Sequence, residues 1–164
     1  QPMYPLKALS QVLDLLHLLW KHSARRMPEK SSTRKKMTPA EQRELDVQIG
    51  FIEGIVRRDP GYVDALQILG DHYTRRGRYV EGLQVDERLA KLDPDNALVF
   101  YNLACSYSLT DQFDGAVAAL KKAFALGYRD FKWLAKDPDL RKLRKQPAYQ
   151  EIAEIVRQIK DREA

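Results

Sequence analysis

The sequence predicts an all-α protein built from packed helical hairpins. Apolar residues recur at alternating spacings of three and four along most of the chain. No segment alternates apolar and polar residues with the β-branched, aromatic content of a strand. Two Asp-Pro pairs, Asp59-Pro60 and Asp93-Pro94, stand 34 positions apart and introduce stretches of matching pattern. With 164 residues, 44% of them hydrophobic and 31% charged, the chain can bury one core of ordinary domain size.

From the start, Leu6, Leu9, Leu13, Leu16 and Trp20 form a helical apolar stripe that Val12, Leu15 and Leu19 widen. Pro5 suits the first turn. The run is too short to span a membrane, and Asp14 and His17 interrupt it. Its positive charge follows the apolar run at Lys21, Arg25 and Arg26, the reverse of a secretory signal. Residues 1–26 are therefore expected to form an amphipathic helix with a basic end. The polar, aperiodic residues 27–37 are expected to form a flexible linker. Gln1 in place of Met leads us to expect a fragment or a processed form. Met37 stands just before a good helix start, as it would if residues 1–36 were foreign to the natural domain.

Thr38-Pro39-Ala40-Glu41 has the pattern of a helix start: a hydroxyl to cap the first turn, a proline where no donor is needed, and a glutamate to reach back. Leu45, Ile49, Ile52 and Val56, with Phe51 and Ile55 beside them, give the next helix one apolar stripe. It ends before Asp59-Pro60-Gly61. Further helices are predicted over 63–76, 79–92, 97–110 and 113–126, with Gly77, Pro94 and Gly127 at the breaks. Residues 131–145 read as short helical turns around Asp137-Pro138. Residues 147–160 read as a final helix with Ile152, Ile155, Val156 and Ile159 inward.

The net charge of +5 is unevenly spread. Residues 1–37 carry eight Lys/Arg and two Asp/Glu, whereas residues 38–164 carry 20 and 21. The basic character belongs to the arm. The body lacks the basic face that nucleic-acid binding needs, so no nucleic-acid partner is expected. The single cysteine, Cys105, forbids an intrachain disulfide and a cysteine-pair zinc site. It suits a reducing compartment, and we expect a cytoplasmic protein, membrane-associated if the arm binds lipid.

Aligned on the two prolines, Leu66, Leu69, Gly70, Tyr73 and Gly82 match Phe100, Leu103, Ala104, Tyr107 and Ala116, after which the second unit continues with Leu120 and Ala123. Small residues at Gly70, Gly82, Ala104 and Ala116 let antiparallel helices approach, and Tyr73, Phe100 and Tyr107 fill the space between pairs. This 34-residue pattern resembles the tetratricopeptide repeat. The resemblance implies an α-α superhelix with an incomplete repeat at 38–60, repeats at 63–96 and 97–130, and a capping segment at 131–164. Asp86 departs from the family's large aromatic, Leu89 from its alanine, and Tyr128 from its closing proline.

No catalytic constellation, metal site or cofactor motif accompanies the repeats, so an enzyme is not expected. His17 and His22 lie on the arm, and His72 beside Asp71 reads as a solvated surface pair without further ligands. Cys105 reads as a small packing residue. Arg141, Lys142, Arg144 and Lys145 alternate with Leu140 and Leu143. They read as the wet side of a short helix in preference to a phosphate or acidic-partner site.

The family resemblance implies that the first helix of each pair lines a concave groove holding a ligand peptide. By position, the groove residues are Gln67 and Asp71, flanked by Asp64, Thr74 and Arg75, in the first unit. In the second they are Leu98, Tyr101, Asn102, Cys105 and Leu109, with Ser108, and the cap adds Lys132 and Lys136. Leu98, Tyr101, Cys105 and Leu109 share one helical face. That face either receives an apolar ligand or is covered by the neighbouring helix or cap. Asn102, Lys132 and Lys136 resemble part of the family's carboxylate clamp for acidic C-terminal tails. Gln67 and Asp71 depart from it, and Asp71 would repel a ligand carboxylate.

The expected function is a protein-interaction adaptor or scaffold that binds a peptide or helix. The alternative is a membrane-associated assembly factor attached through the basic amphipathic helix. Because soluble proteins seldom leave so apolar a helix exposed, helix 6–20 is expected to dock on the Leu45, Ile49 and Ile52 stripe. It would do so in cis or by exchange between two chains, which would make a homodimer.

Overall fold

The structure, a computed structural model, describes residues 36–164, and among these it contains seven α-helices and no β-strand. They are α1 (Pro39–Arg58), α2 (Val63–Arg76), α3 (Tyr79–Leu92), α4 (Ala97–Leu109), α5 (Phe113–Ala125), the single turn α6 (Phe131–Leu134) and α7 (Tyr149–Glu163). Two 3₁₀ turns, Pro138–Leu140 and Leu143–Lys145, lie between α6 and α7. Each helix from α1 to α5 packs on the next. The expected helix at 6–20, its docking, its lipid attachment and its role in a homodimer all fall on residues outside the described ones. Met37, at the end of the expected linker, already packs against the first apolar cluster.

The helix starts and stops have local chemical causes. At the head of α1 the capping box forms as read: the Glu41 backbone N–H donates to Thr38 Oγ1 at 3.3 Å, and the Thr38 N–H donates to Glu41 Oε2 at 2.7 Å. Gly77 ends α2 at φ 84°, a conformation that costs glycine nothing, and the Arg78 N–H returns to the Tyr73 carbonyl. One repeat later Asp111 takes the same left-handed place at φ 61°. There its carboxylate accepts from Lys142 Nζ at 2.8 Å. α7 begins at Tyr149, two residues later than predicted, because Pro147 belongs to a turn whose carbonyl accepts from Gln150.

Leu45, Ile49 and Ile52 are buried in one cluster with Ala65, Leu66 and Leu69 of α2 and Val85 and Leu89 of α3. This stripe is therefore not the open acceptor expected for helix 6–20, because α2 already packs on α1. The second cluster joins α4 and α5 to the cap through Leu103, Leu120, Leu134, Leu140, Leu143 and Ile152. Within each pair the helices meet at small residues. A Cβ on Gly82 would come within 3.2 Å of Thr74 Oγ1, and one on Gly70 within 3.0 Å of Asp86 Oδ1.

A polar contact repeats with the same period. The Tyr73 hydroxyl of α2 donates to Glu53 of α1 at 2.6 Å, and the Tyr107 hydroxyl of α4 donates to Glu87 of α3 at 2.9 Å. Burial, and then the bond to Glu53, push the Tyr73 hydroxyl up to about 12, so it stays a donor at all physiological pH.

Asp86, in the family's aromatic position, is buried. Its Oδ2 accepts from the Ser106 hydroxyl of α4, and its Oδ1 lies against Gly70 of α2. Burial pushes its carboxyl up to about 6 from 3.8, against the bond from Ser106, which lowers it, and with the Asp71 charge adding to the rise. The native state thus holds this proton at a higher pH than the unfolded chain does. The contribution to stability is fully present below about pH 3.8 and is lost as pH rises through about 6. The ionised form is disfavoured by on the order of 3 kcal/mol. Asp86→Asn is expected to stabilise the fold by roughly 1–3 kcal/mol at pH 7.5. The gain should shrink at pH 5. Urea unfolding at the two pH values reads both effects, and an equal gain at each would refute this account of the carboxyl.

Candidate partner-binding groove

The first helices of the two complete pairs, α2 and α4, both contact Asp86 of α3 and so lie on one side of it. Their outward faces carry the residues assigned to the groove. On α2, Gln67 is half-buried, and Asp71, four residues on and therefore on the same face, is exposed. Asp71 pairs with Arg75 at 3.7 Å and approaches His72 Nδ1 at 3.4 Å. The His72–Asp71 pair is thus formed, although the His72 ring is half-buried and not fully solvated. On α4, Leu98 is 57% exposed and Asn102, one turn on, is also exposed, while Leu109 is half-buried.

The expected apolar stripe is divided. Tyr101 and Cys105, at 3% and 8% exposure, are buried beneath the chain's own segment 137–140. The Tyr101 hydroxyl donates to Asp137 Oδ2 at 2.7 Å, and the Cys105 thiol points to the same oxygen at 3.8 Å. Asp137 Oδ1 accepts from the Asp139 N–H at 2.9 Å, and the Ser108 hydroxyl donates to the Asp139 carbonyl at 2.8 Å. The Tyr101 ring stacks on Tyr128 with centroids 4.2 Å apart, which gives the residue at the closing-proline position a packing role. The expectation of Tyr101 and Cys105 as open groove contacts is corrected accordingly: the cap covers both. Burial raises both the Tyr101 hydroxyl and the Cys105 thiol, so neither ionises. An un-ionised, covered thiol is no nucleophile.

Lys132 on α6 and Lys136, next in the chain to Asp137, remain exposed. The basic run behaves as the outer side of the cap: Leu140 and Leu143 are fully buried, Lys142 pairs with Asp111, and Arg144 donates to the Leu134 carbonyl. Among the described residues no group of three His, Cys, Asp or Glu side chains is placed to hold a metal ion, and no helix is long and apolar enough to cross a membrane.

Sequence reasoning reads Asp137-Pro138 as a break between turns and misses its role as an anchor. The usable signal is Asp137-Pro138-Asp139, in which the first carboxylate caps its own turn and buries the remaining oxygen. Tyr101→Phe leaves that buried oxygen with only the weak thiol donor. It is expected to cost ~1–3 kcal/mol, seen as a lowered urea midpoint with unchanged slope. An unchanged midpoint would show that the bond to Asp137 contributes nothing.

No protein-family model matches the chain. A chloroplastic protein of Arabidopsis thaliana is 40% identical over 79 residues, 46% of this chain and 24% of that protein. The peroxisomal targeting signal receptor of Komagataella phaffii is 34% identical over 91 residues, 54% of this chain and 16% of the receptor. The chain therefore spans less than a quarter of the length of the curated relatives it matches. Among solved structures, the crystal structure of MamA superposes with a TM-score of 0.52 and 23% identity, covering 74% of this chain and 76% of that one. The 34-residue register, the hairpins packed through small residues and the likeness in fold make this chain a tetratricopeptide-like helical-repeat protein.

Proposed function

We propose that the protein is an interaction adaptor that holds an extended peptide or an amphipathic helix against the outward faces of α2 and α4. The carrying observation is Leu98. It is a large aliphatic side chain on the first helix of a repeat, more than half exposed, with the hydrogen-bonding Asn102 one turn along the same face. Gln67, Asp71, Leu98, Asn102 and Leu109 form the contact surface, extended by Lys132 and Lys136. Tyr101 and Cys105 support it from below. The fold supports this reading, as does similarity to a protein named as the receptor of a targeting signal. The role is one of binding, and no residue is given a catalytic part.

The chemistry of the surface shapes the ligand. Asp71 stands where the family's clamp has an amide, so a carboxylate tail is disfavoured there. A ligand with an apolar side chain over Leu98 and a basic or amide group towards Asp71 fits better. Random dodecapeptides selected on the immobilised full chain should therefore be enriched in Lys or Arg beside Leu, Ile or Phe. Leu98→Glu and Asp71→Lys should each weaken the selected peptides by about tenfold or more, near 1.4 kcal/mol, at an unchanged melting temperature. Peptides that bind the folded double variant as well as the parent chain would refute the site.

A further inference from the structure

Outside the groove, α1 leaves an apolar face open. Val47 is 73% and Phe51 51% exposed, and Ile55, one turn on, is half-buried. By the 34-residue register, Phe51 and Ile55 correspond to Val85 and Leu89 of α3 and to Ala119 and Ala123 of α5, and those four are buried. On α1 nothing among the described residues covers the face, while α2 packs on the opposite stripe of Leu45, Ile49 and Ile52. Two glycines border the open face. A Cβ on Gly50 or Gly54 would meet nothing within 4 Å, so the chain's own packing does not require either. Gly70 and Gly82 differ, because a Cβ on each would press on a neighbouring helix. Glycine in a helix interior is destabilising relative to alanine, and its use is to let another backbone approach. Glu44 stands seven residues before Phe51 and Arg58 seven after it. Both are exposed, and among the described residues neither makes an ion pair. Val47 and Ile55 stand four residues before and four after Phe51. Steps of four and seven stay on one face of a helix.

We propose that α1 joins two copies of this chain as an antiparallel helix pair centred on Phe51. The face is complementary to itself in that register. Val47 of each copy meets Ile55 of the other, Glu44 meets Arg58 of the other, and Phe51 meets its own counterpart at the two-fold axis. Gly50 and Gly54 let the two backbones come close enough for these side chains to interdigitate. A parallel pair would set Glu44 against Glu44 and Arg58 against Arg58, and would align the two helix dipoles in the same sense. The contact is isologous, so it closes as a dimer and does not propagate. The 20 residues of α1 span about 30 Å, and one helix face of that length lies at the small end of stable interfaces, so the dimer is reversible at micromolar concentrations. The face is separate from the peptide surface proposed above, so either proposal can fail alone.

Sedimentation velocity on the full chain, over a range of micromolar concentrations, should show a concentration-dependent dimer. Glu44→Arg, and separately Arg58→Glu, should each weaken it by about tenfold, because each replaces two ion pairs with two like-charge contacts. The variant carrying both changes should recover the affinity of the parent. Gly54→Gln should weaken the dimer while keeping or raising the melting temperature at a dilution where the parent is also monomeric. A glycine with only a structural role would not give that combination. Chains carrying Val47→Cys and chains carrying Ile55→Cys should cross-link when mixed and not when either is alone, and the buried Cys105 does not compete. A monomer at every concentration would overturn the proposal. So would a dimer that ignores the charge reversals, one that the double variant fails to recover, or one that cross-links through Val47→Cys alone.

Discussion

The two hairpins meet over one buried carboxylate, and the arrangement of the remaining helices depends on it. Asp86 leaves α3, lies against Gly70 of α2 and accepts from Ser106 of α4. The three residues form a dependent set. Any side chain at 70 would press on the carboxylate, and any apolar residue at 106 would leave it without its donor. An aromatic ring in place of Asp86 would need neither. The unfavourable burial of the acid is tolerated because the cluster around it, with Leu66, Leu69 and Leu89, packs the same junction from the apolar side. The result is a junction with one geometry, in which α2 and α4 face the same way.

That geometry decides what the groove can be. Two first helices facing the same way would offer a continuous concave surface, but the cap occupies the middle of α4. Tyr101, Cys105 and Ser108 hold the positions that would meet a ligand, and all three instead contact residues 137–139. A segment tied to the chain competes for those donors at an effective concentration no free peptide reaches. The accessible surface is therefore displaced towards α2 and the exposed first turn of α4, and its character moves from apolar to mixed.

Much of this fold is legible in the sequence. The stripes Leu45–Ile49–Ile52 and Leu66–Leu69–Tyr73 are core, and Thr38, Gly77 and Gly127 mark ends where their chemistry says ends should be. Periodicity reports which face of a helix is inward, whereas covering by a distant segment leaves no periodic trace. For that reason the sequence leaves the burial of Tyr101 and Cys105 under Asp137 open, and it gives the Leu45, Ile49 and Ile52 stripe of α1 as an open acceptor although α2 packs on it. One signal is readable and easily passed over: Glu53 and Glu87 precede Tyr73 and Tyr107 by the same 20 positions, a register that only a repeated bond between neighbouring helices requires.

The same ladder explains where the array stops. Continued by one period, the glutamate position falls on Lys121 and the tyrosine position on Arg141. A lysine cannot accept a hydroxyl proton, so a further tyrosine-bearing helix would find no acceptor there. Lys121 instead pairs with Glu151 of α7, and the helix after α5 belongs to the cap. The pair is exposed and adds little stability by itself. Its value lies in exclusion. The charge reversal removes the bond that would seat another hairpin, while Leu134, Leu140, Leu143 and Ile152 close the apolar end that the hairpin would have covered.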